Sequence, residues 1–194
     1  GPCGTGKSVA YAVPAIWHSH VEKKRVVIAT ANIALQEQLV RKDLPMLAIV
    51  LPWKFSFALL KGRNNYLCLD RLAESEARGE LHGLFDDGLQ SQLDDALAWA
   101  AATSSGDVSE LPFIPAPQVW SKLSVSSDDC KSDKCQFREQ CFSERARLAA
   151  QDADIIVTNY HLLFAHIAVR QATGQDLVLP PFDFLILDEA HEAA

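Results

Sequence analysis

One octapeptide, Gly1-Pro2-Cys3-Gly4-Thr5-Gly6-Lys7-Ser8, constrains this chain more than any other stretch, because it fits the phosphate-binding pattern G-x-x-x-x-G-K-[ST]. Glycines let the backbone turn tightly enough for successive N–H groups to face an anion, and a following helix adds its positive N-terminal end. In that geometry Gly4, Thr5, Gly6, Lys7 and Ser8 hold a nucleotide's phosphates. Lys7 reaches the β and γ phosphates, and Ser8 offers its hydroxyl to Mg²⁺. An ordinary glycine-rich turn is the competing reading, and context separates the two: a phosphate loop lies between a strand and a helix. Val9-Ala10-Tyr11-Ala12-Val13 reads as the start of the apolar helix, kinked or ended by Pro14. No strand precedes the loop in the sequence, so the chain is expected to be a fragment.

The strands that follow have one texture. Arg25-Val26-Val27-Ile28-Ala29-Thr30 is a short apolar run rich in β-branched residues, as in a strand buried on both faces of a parallel sheet. Asn32 is placed to cap a helix with Leu35, Leu39 and Val40 on one face, ending near Pro45. Further strands are expected at 154–158 and 182–187. Strands alternating with helices imply an α/β domain with a mostly parallel sheet. With 194 residues the chain can bury a real core, and no apolar run is long enough to span a membrane, so a soluble cytoplasmic protein is expected. A net charge of −7 argues against a uniformly basic nucleic-acid binder and restricts any DNA contact to local patches.

The last strand runs directly into Asp188-Glu189-Ala190-His191. Ligands of open α/β sheets bind beyond the carboxyl ends of the strands, where Asp188 can hold Mg²⁺ and Glu189 can polarise an attacking water. An Asp-Glu pair at a strand end is by itself ordinary solvated surface. Combined with the phosphate loop, it implies nucleotide hydrolysis, with Lys7, Asp188 and Glu189 as the catalytic set.

Taken together, the loop, the segment Thr30-Ala31-Asn32 followed by Leu35-Gln36-Glu37-Gln38-Leu39, and Asp188-Glu189-Ala190-His191 resemble the first motor domain of superfamily 2 helicases with a DEAH box, especially the DinG branch of the XPD-like helicases. Pro2-Cys3 departs from the Gly-Thr often found there in this branch. The resemblance implies a RecA-like fold in which Thr30 and its neighbours touch the DNA backbone and His191 couples nucleotide state to domain movement.

Lys7 and Asp188 are farther apart than two or three βα units require, which points to an insertion. The expected division is a motor part at 1–61, an insert at 62–147 and the rest of the motor at 148–194. Helices are expected near 69–78 and 89–102, followed by a Ser/Gly/Pro-rich connection near 103–117. The insert holds four of the five cysteines, Cys68, Cys130, Cys135 and Cys141. Clustered intracellular cysteines more often bind metal or do redox chemistry than form structural disulfides. Their spacing leaves tetrahedral zinc and an iron–sulfur cluster equally open, with unconnected core cysteines as the plainer alternative. A cysteine after Lys61-Gly62-Arg63-Asn64-Asn65-Tyr66-Leu67, three closely spaced ones, and then Ala153-Asp154-Ile155-Ile156-Val157-Thr158-Asn159-Tyr160 resemble the iron–sulfur domain of DinG and XPD helicases. That resemblance implies four ligands to a [4Fe–4S] cluster in a small, mainly helical domain.

Lys61, Arg63, Tyr66 and Phe142 combine basic and aromatic groups of the kind that hold single strands, although a solvated edge with two packed rings is an equal alternative. Lys122, Lys131, Lys134 and Arg138 are offset by nearby acids. Cys3 reads as a tolerated small residue. His18, His20, His82 and His166 read as surface or capping groups, and Trp17, Trp53, Trp99 and Trp120 as packing anchors.

The resulting expectation is part of an ATP-dependent DNA helicase of the DinG type, with ATP, Mg²⁺ and a [4Fe–4S] cluster as cofactors. Single-stranded and forked or branched duplex DNA are the expected partners; the oligomeric state is left open, with a monomer expected. By family, movement is 5′→3′ and serves DNA repair. Without a second motor half, the fragment is expected to hydrolyse little ATP. A nucleotide-binding scaffold or regulatory subunit with a zinc-stapled interaction module is the alternative.

Overall fold

The computed structural model describes residues 6–31, 33–81, 83 and 85–193. In chain order the elements are α1 (Lys7–Glu22), β1 (Val26–Thr30), α2 (Ile33–Gln38), a π-helical turn (Leu39–Asp43), α3 (Leu44–Val50), β2 (Phe57–Leu59), α4 (Leu69–Ala77), α5 (Asp87–Ala100), α6 (Pro117–Trp120), α7 (Phe142–Asp152), β3 (Ile155–Asn159), α8 (Tyr160–Thr173) and β4 (Phe184–Leu187). Contacts divide the chain into two compact units. One comprises the residues up to Lys61 and from Ala146 onward, and the other is Gly62–Arg145.

The first unit is built on a four-stranded sheet in the order β2-β3-β1-β4, with every neighbouring pair parallel. Its register sets Val27 opposite Ile156 on one side and Leu185 on the other. Side chains alternate across a strand, so Val26, Ile28, Ile155 and Val157 pack with Ala12, Ile16, Leu39, Leu44 and Leu47 from α1, the π-turn and α3. Val27, Ala29 and Ile156 point the other way, onto Ala150, Tyr160 and Leu163 of α7 and α8. All five residues of β1 are buried, which is why this strand reads as an unbroken apolar run. At the strands' amino ends the Arg25 guanidinium donates to the carbonyls of Ala153, Pro181 and Gln151 and joins three segments.

Two local expectations need correction, and one strand was not expected. Pro14 does not end α1, which continues through it to Glu22. Pro14 and Ala10 are both exposed, so the carbonyl that loses its donor faces water. Pro45 likewise does not end the helix after β1. It falls in the first turn of α3, where a missing N–H is tolerated, and the preceding π-turn lets the Leu44 N–H reach the Leu39 carbonyl five residues back. β2 was not anticipated, because three residues are too few to show a period; its pairing with β3 makes it a strand.

The second unit is mainly helical. Leu67, Leu93, Ala96, Val119 and Leu123 are almost fully buried in it. The Asp86 carboxylate caps α5 by accepting from the Leu89 N–H at 2.9 Å. Gly106 has φ +66° and lies against Phe142, where a Cβ would stand 2.4 Å from the ring's Cγ, so no larger residue fits. No helix among the described residues is long and apolar enough to cross a membrane.

Candidate functional site

The carboxyl ends of β1 and β4 and the start of α1 meet at one end of the sheet. Gly6 takes the left-handed conformation (φ 73°) that turns the chain into α1, and no described side chain caps that helix. Its first turn contains no acidic residue, so its backbone donors and dipole suit an anion. From β4, the Asp188 N–H donates to the Ala29 carbonyl at 2.9 Å and carries the acidic pair over the end of β1.

Lys7 and Glu189, 182 positions apart, form an ion pair through Nζ and Oε1. The Lys7 ammonium holds the Glu189 carboxyl below its usual range. Glu189 has φ +56°, a conformation uncommon for a residue with a Cβ and often found at functional sites. His191 Nδ1 stands 3.5 Å from the other Glu189 oxygen, with its own side chain largely exposed.

Two tyrosines, from α1 and the start of α8, converge on Asp188. Tyr11 Oη donates to Asp188 Oδ2 at 2.9 Å, and Tyr160 Oη donates to the Asp188 backbone carbonyl at 2.7 Å. Burial, and then the Asp188 charge, push the Tyr11 phenol far above its ordinary value, so it remains a donor. Its signal in the sequence was spacing: Tyr11 is four residues after Lys7 and three after Ser8, on the same helix face. Gln38 also faces this end, with Nε2 3.0 Å from Asp43 Oδ2 and 3.5 Å from Ser8 Oγ.

Other candidates are placed differently. Gly4 and Thr5 lie outside the described residues, as do Cys3, Asn32 and His82. Thr30 is fully buried, so its side chain cannot touch a DNA backbone in this conformation. Lys61 is buried and pairs with Glu37 at 3.1 Å, which makes it an internal tie between β2's end and α2 instead of a basic edge.

In the second unit, Cys68, Cys130, Cys135 and Cys141 line one cavity together with Arg63 and Tyr66. Cys68 Sγ accepts from the Arg71 N–H at 3.4 Å and so caps α4; Cys130 Sγ accepts from the Ser132 N–H at 3.4 Å and from Arg63 Nη1 at 3.6 Å. Cys141 Sγ is 3.3 Å from Ser143 Oγ. Burial pushes the Cys68 thiol up against the opposing effect of its N–H donors. Among the described residues, no three His, Cys, Asp or Glu side chains are grouped so as to hold a metal ion. Nearby cations are already paired: Lys131 with Asp70 and Glu74, Arg138 with Asp133, and Lys122 with Glu80. Phe142 packs inside the unit, with the Arg145 guanidinium 4.8 Å from its ring centre.

His166 is a correction: it is buried in α8, not a surface or capping group. Its Nδ1 accepts from the Leu179 N–H at 3.2 Å, which leaves Nε2 as the protonated nitrogen, 3.5 Å from an Asp176 oxygen that Arg170 also contacts. Burial lowers its pKa from 6.5, outweighing the Asp176 charge. The folded chain therefore binds this proton less readily than the unfolded chain. Stability from this group is present above the ordinary value of 6.5 and is lost as pH falls below it. Urea melts should show a lower midpoint at acidic pH than near neutrality, and His166→Gln should flatten that slope; an unchanged slope would assign it to other groups.

No family model matches the chain. The chain is 43% identical over 206 residues to a protein named ATP-dependent helicase DinG from Mycobacterium tuberculosis (strain ATCC 25177 / H37Ra), covering 98% of this chain and 30% of that relative. It is 37% identical over 190 residues to one named ATP-dependent DNA helicase YoaA from Escherichia coli (strain K12), covering 97% and 29%. A relative named 3'-5' exonuclease DinG from Bacillus subtilis (strain 168) is 33% identical over 193 residues, covering 98% and 19%. The chain thus spans less than a third of the length of these curated relatives.

Proposed function

We propose, from the premise that this chain is a DinG-like helicase segment, that it binds and hydrolyses ATP to drive a longer protein along single-stranded DNA and part a duplex. The observation that carries this reading is the contact between Lys7 and Glu189, which joins the phosphate loop to the acidic end of β4 across nearly the whole sequence. Gly4, Thr5 and Gly6 belong to the loop that takes the phosphates. Lys7 leaves Glu189 for the β and γ phosphates, and Glu189, thus released, accepts a proton from the attacking water. The start of α1, which no described side chain caps, fits the phosphates, while the Ser8 hydroxyl and the Asp188 carboxylate are the oxygen donors that would hold Mg²⁺. When bound, Mg²⁺ would offset phosphate charge.

We assign residues 62–147 to an iron–sulfur domain, with Cys68, Cys130, Cys135 and Cys141 as ligands. Four soft sulfur donors on one cavity, with N–H groups aimed at two of them, support this chemistry. When bound, a [4Fe–4S] cluster would staple a unit whose own apolar core is small. Single-stranded and forked DNA are the proposed partners, with 5′→3′ movement.

Strand separation and DNA-stimulated phosphate release by the full-length protein test this function, using forked duplexes with a 5′ or a 3′ tail. Lys7→Ala should lose both activities at least about a hundredfold, the scale at which removing a charge stabiliser acts. An intact protein that binds ATP yet never separates strands would instead favour a scaffold.

A further inference from the structure

Asp188 has only two carboxylate oxygens, and the fold already engages one of them. Tyr11 Oη donates to Oδ2 at 2.9 Å, while Tyr160 Oη holds the backbone carbonyl of the same residue at 2.7 Å and the Asp188 N–H is bonded to Ala29. The carboxylate is therefore held at its backbone on both sides and at one oxygen, which, among the described residues, leaves Oδ1 as the oxygen available to a cation. The donor to Oδ2 comes from α1, the same helix that begins with Lys7 and Ser8. The first turns of one helix thus carry the proposed phosphate ligand, the proposed metal-ligand hydroxyl and a donor to the opposing carboxylate.

We infer that Tyr11 is a positioning residue that aims Asp188 at the nucleotide-bound metal, through its hydroxyl on Oδ2. This rests on the proposed role of Asp188 and goes beyond it, because a phenol on the loop helix is not required for a carboxylate to bind Mg²⁺. Orienting groups of this kind typically change metal affinity by about 10–100-fold when removed. Tyr11→Phe keeps the half-buried ring and removes only the donor.

The test is a fluorescence titration of the full-length protein with an N-methylanthraniloyl derivative of AMP-PNP, once with Mg²⁺ and once with EDTA. Tyr11→Phe should bind the analogue as the parent protein does in EDTA, and should lose about tenfold of the tightening that Mg²⁺ confers. Asp188→Asn should lose that tightening entirely. If Tyr11→Phe matches the parent in both conditions while Asp188→Asn does not, the role of Tyr11 is refuted and that of Asp188 stands. Equal weakening of Tyr11→Phe in both conditions would reveal a packing role and likewise overturn the inference. If Asp188→Asn retains full Mg²⁺ dependence, the metal reading of the whole site fails, and the Tyr11 role with it.

Discussion

Replacing Glu189 by Gln is expected to lower ATP turnover at least about a hundredfold while tightening nucleotide binding a few-fold, on the scale of losing a general base. The two effects have opposite signs because the proposed function gives Glu189 two parts. Without nucleotide, its carboxylate is the partner of Lys7, and the phosphates must displace it. A neutral amide holds an ammonium less strongly, so Lys7 turns to phosphate at lower cost, yet the amide cannot take a proton from water. Lys7→Ala should instead lose affinity as well as turnover, leaving Glu189 without its charged neighbour. Phosphate release gives the turnover, and titration of a non-hydrolysed analogue gives the affinity. If Glu189→Gln still turns over at the parent rate, Glu189 has no part in the chemistry.

Changing any one of Cys68, Cys130, Cys135 or Cys141 to Ser is expected to abolish incorporation of about four irons and four sulfides per chain and to open residues 62–145 to proteolysis. The four residues come from separate stretches of the second unit: the start of α4, two turns near Cys130 and Cys135, and the start of α7. On the proposed ligand set, losing one ligand would expose the cluster to solvent and release a cross-link between these stretches. Iron, acid-labile sulfide and zinc measured on anaerobically purified protein, with protease digestion alongside, provide the test. One zinc without sulfide would replace the cluster with a tetrahedral metal, and undiminished iron in two or more variants would dismiss the ligand set.

The strand positions were legible in the sequence because a buried parallel strand announces itself as an unbroken β-branched run, as in Val26-Val27-Ile28 and Ile155-Ile156-Val157. Helices α4 and α5 were legible from their apolar spacing. β2 was not: its pairing with β3, not its three residues, makes it a strand. Pro14 and Pro45 misled because a proline's effect depends on where its lost bond falls, on the wet side of α1 or after a π-turn.

At the candidate site, the residue types were readable from the chain: a Gly-Lys-Ser loop, an acidic pair after an apolar strand, and four cysteines. Those patterns are local, and each can be read from neighbours in the chain. Tertiary structure alone decided the partnerships. It paired Lys7 with Glu189, gave Asp188 two tyrosines, buried Lys61 against Glu37 and enclosed His166 beneath Leu179. The reason is physical: a charge or hydroxyl acquires its role from what packing leaves within about 3 Å of it, and residues far apart in sequence reach that distance only after the sheet has formed.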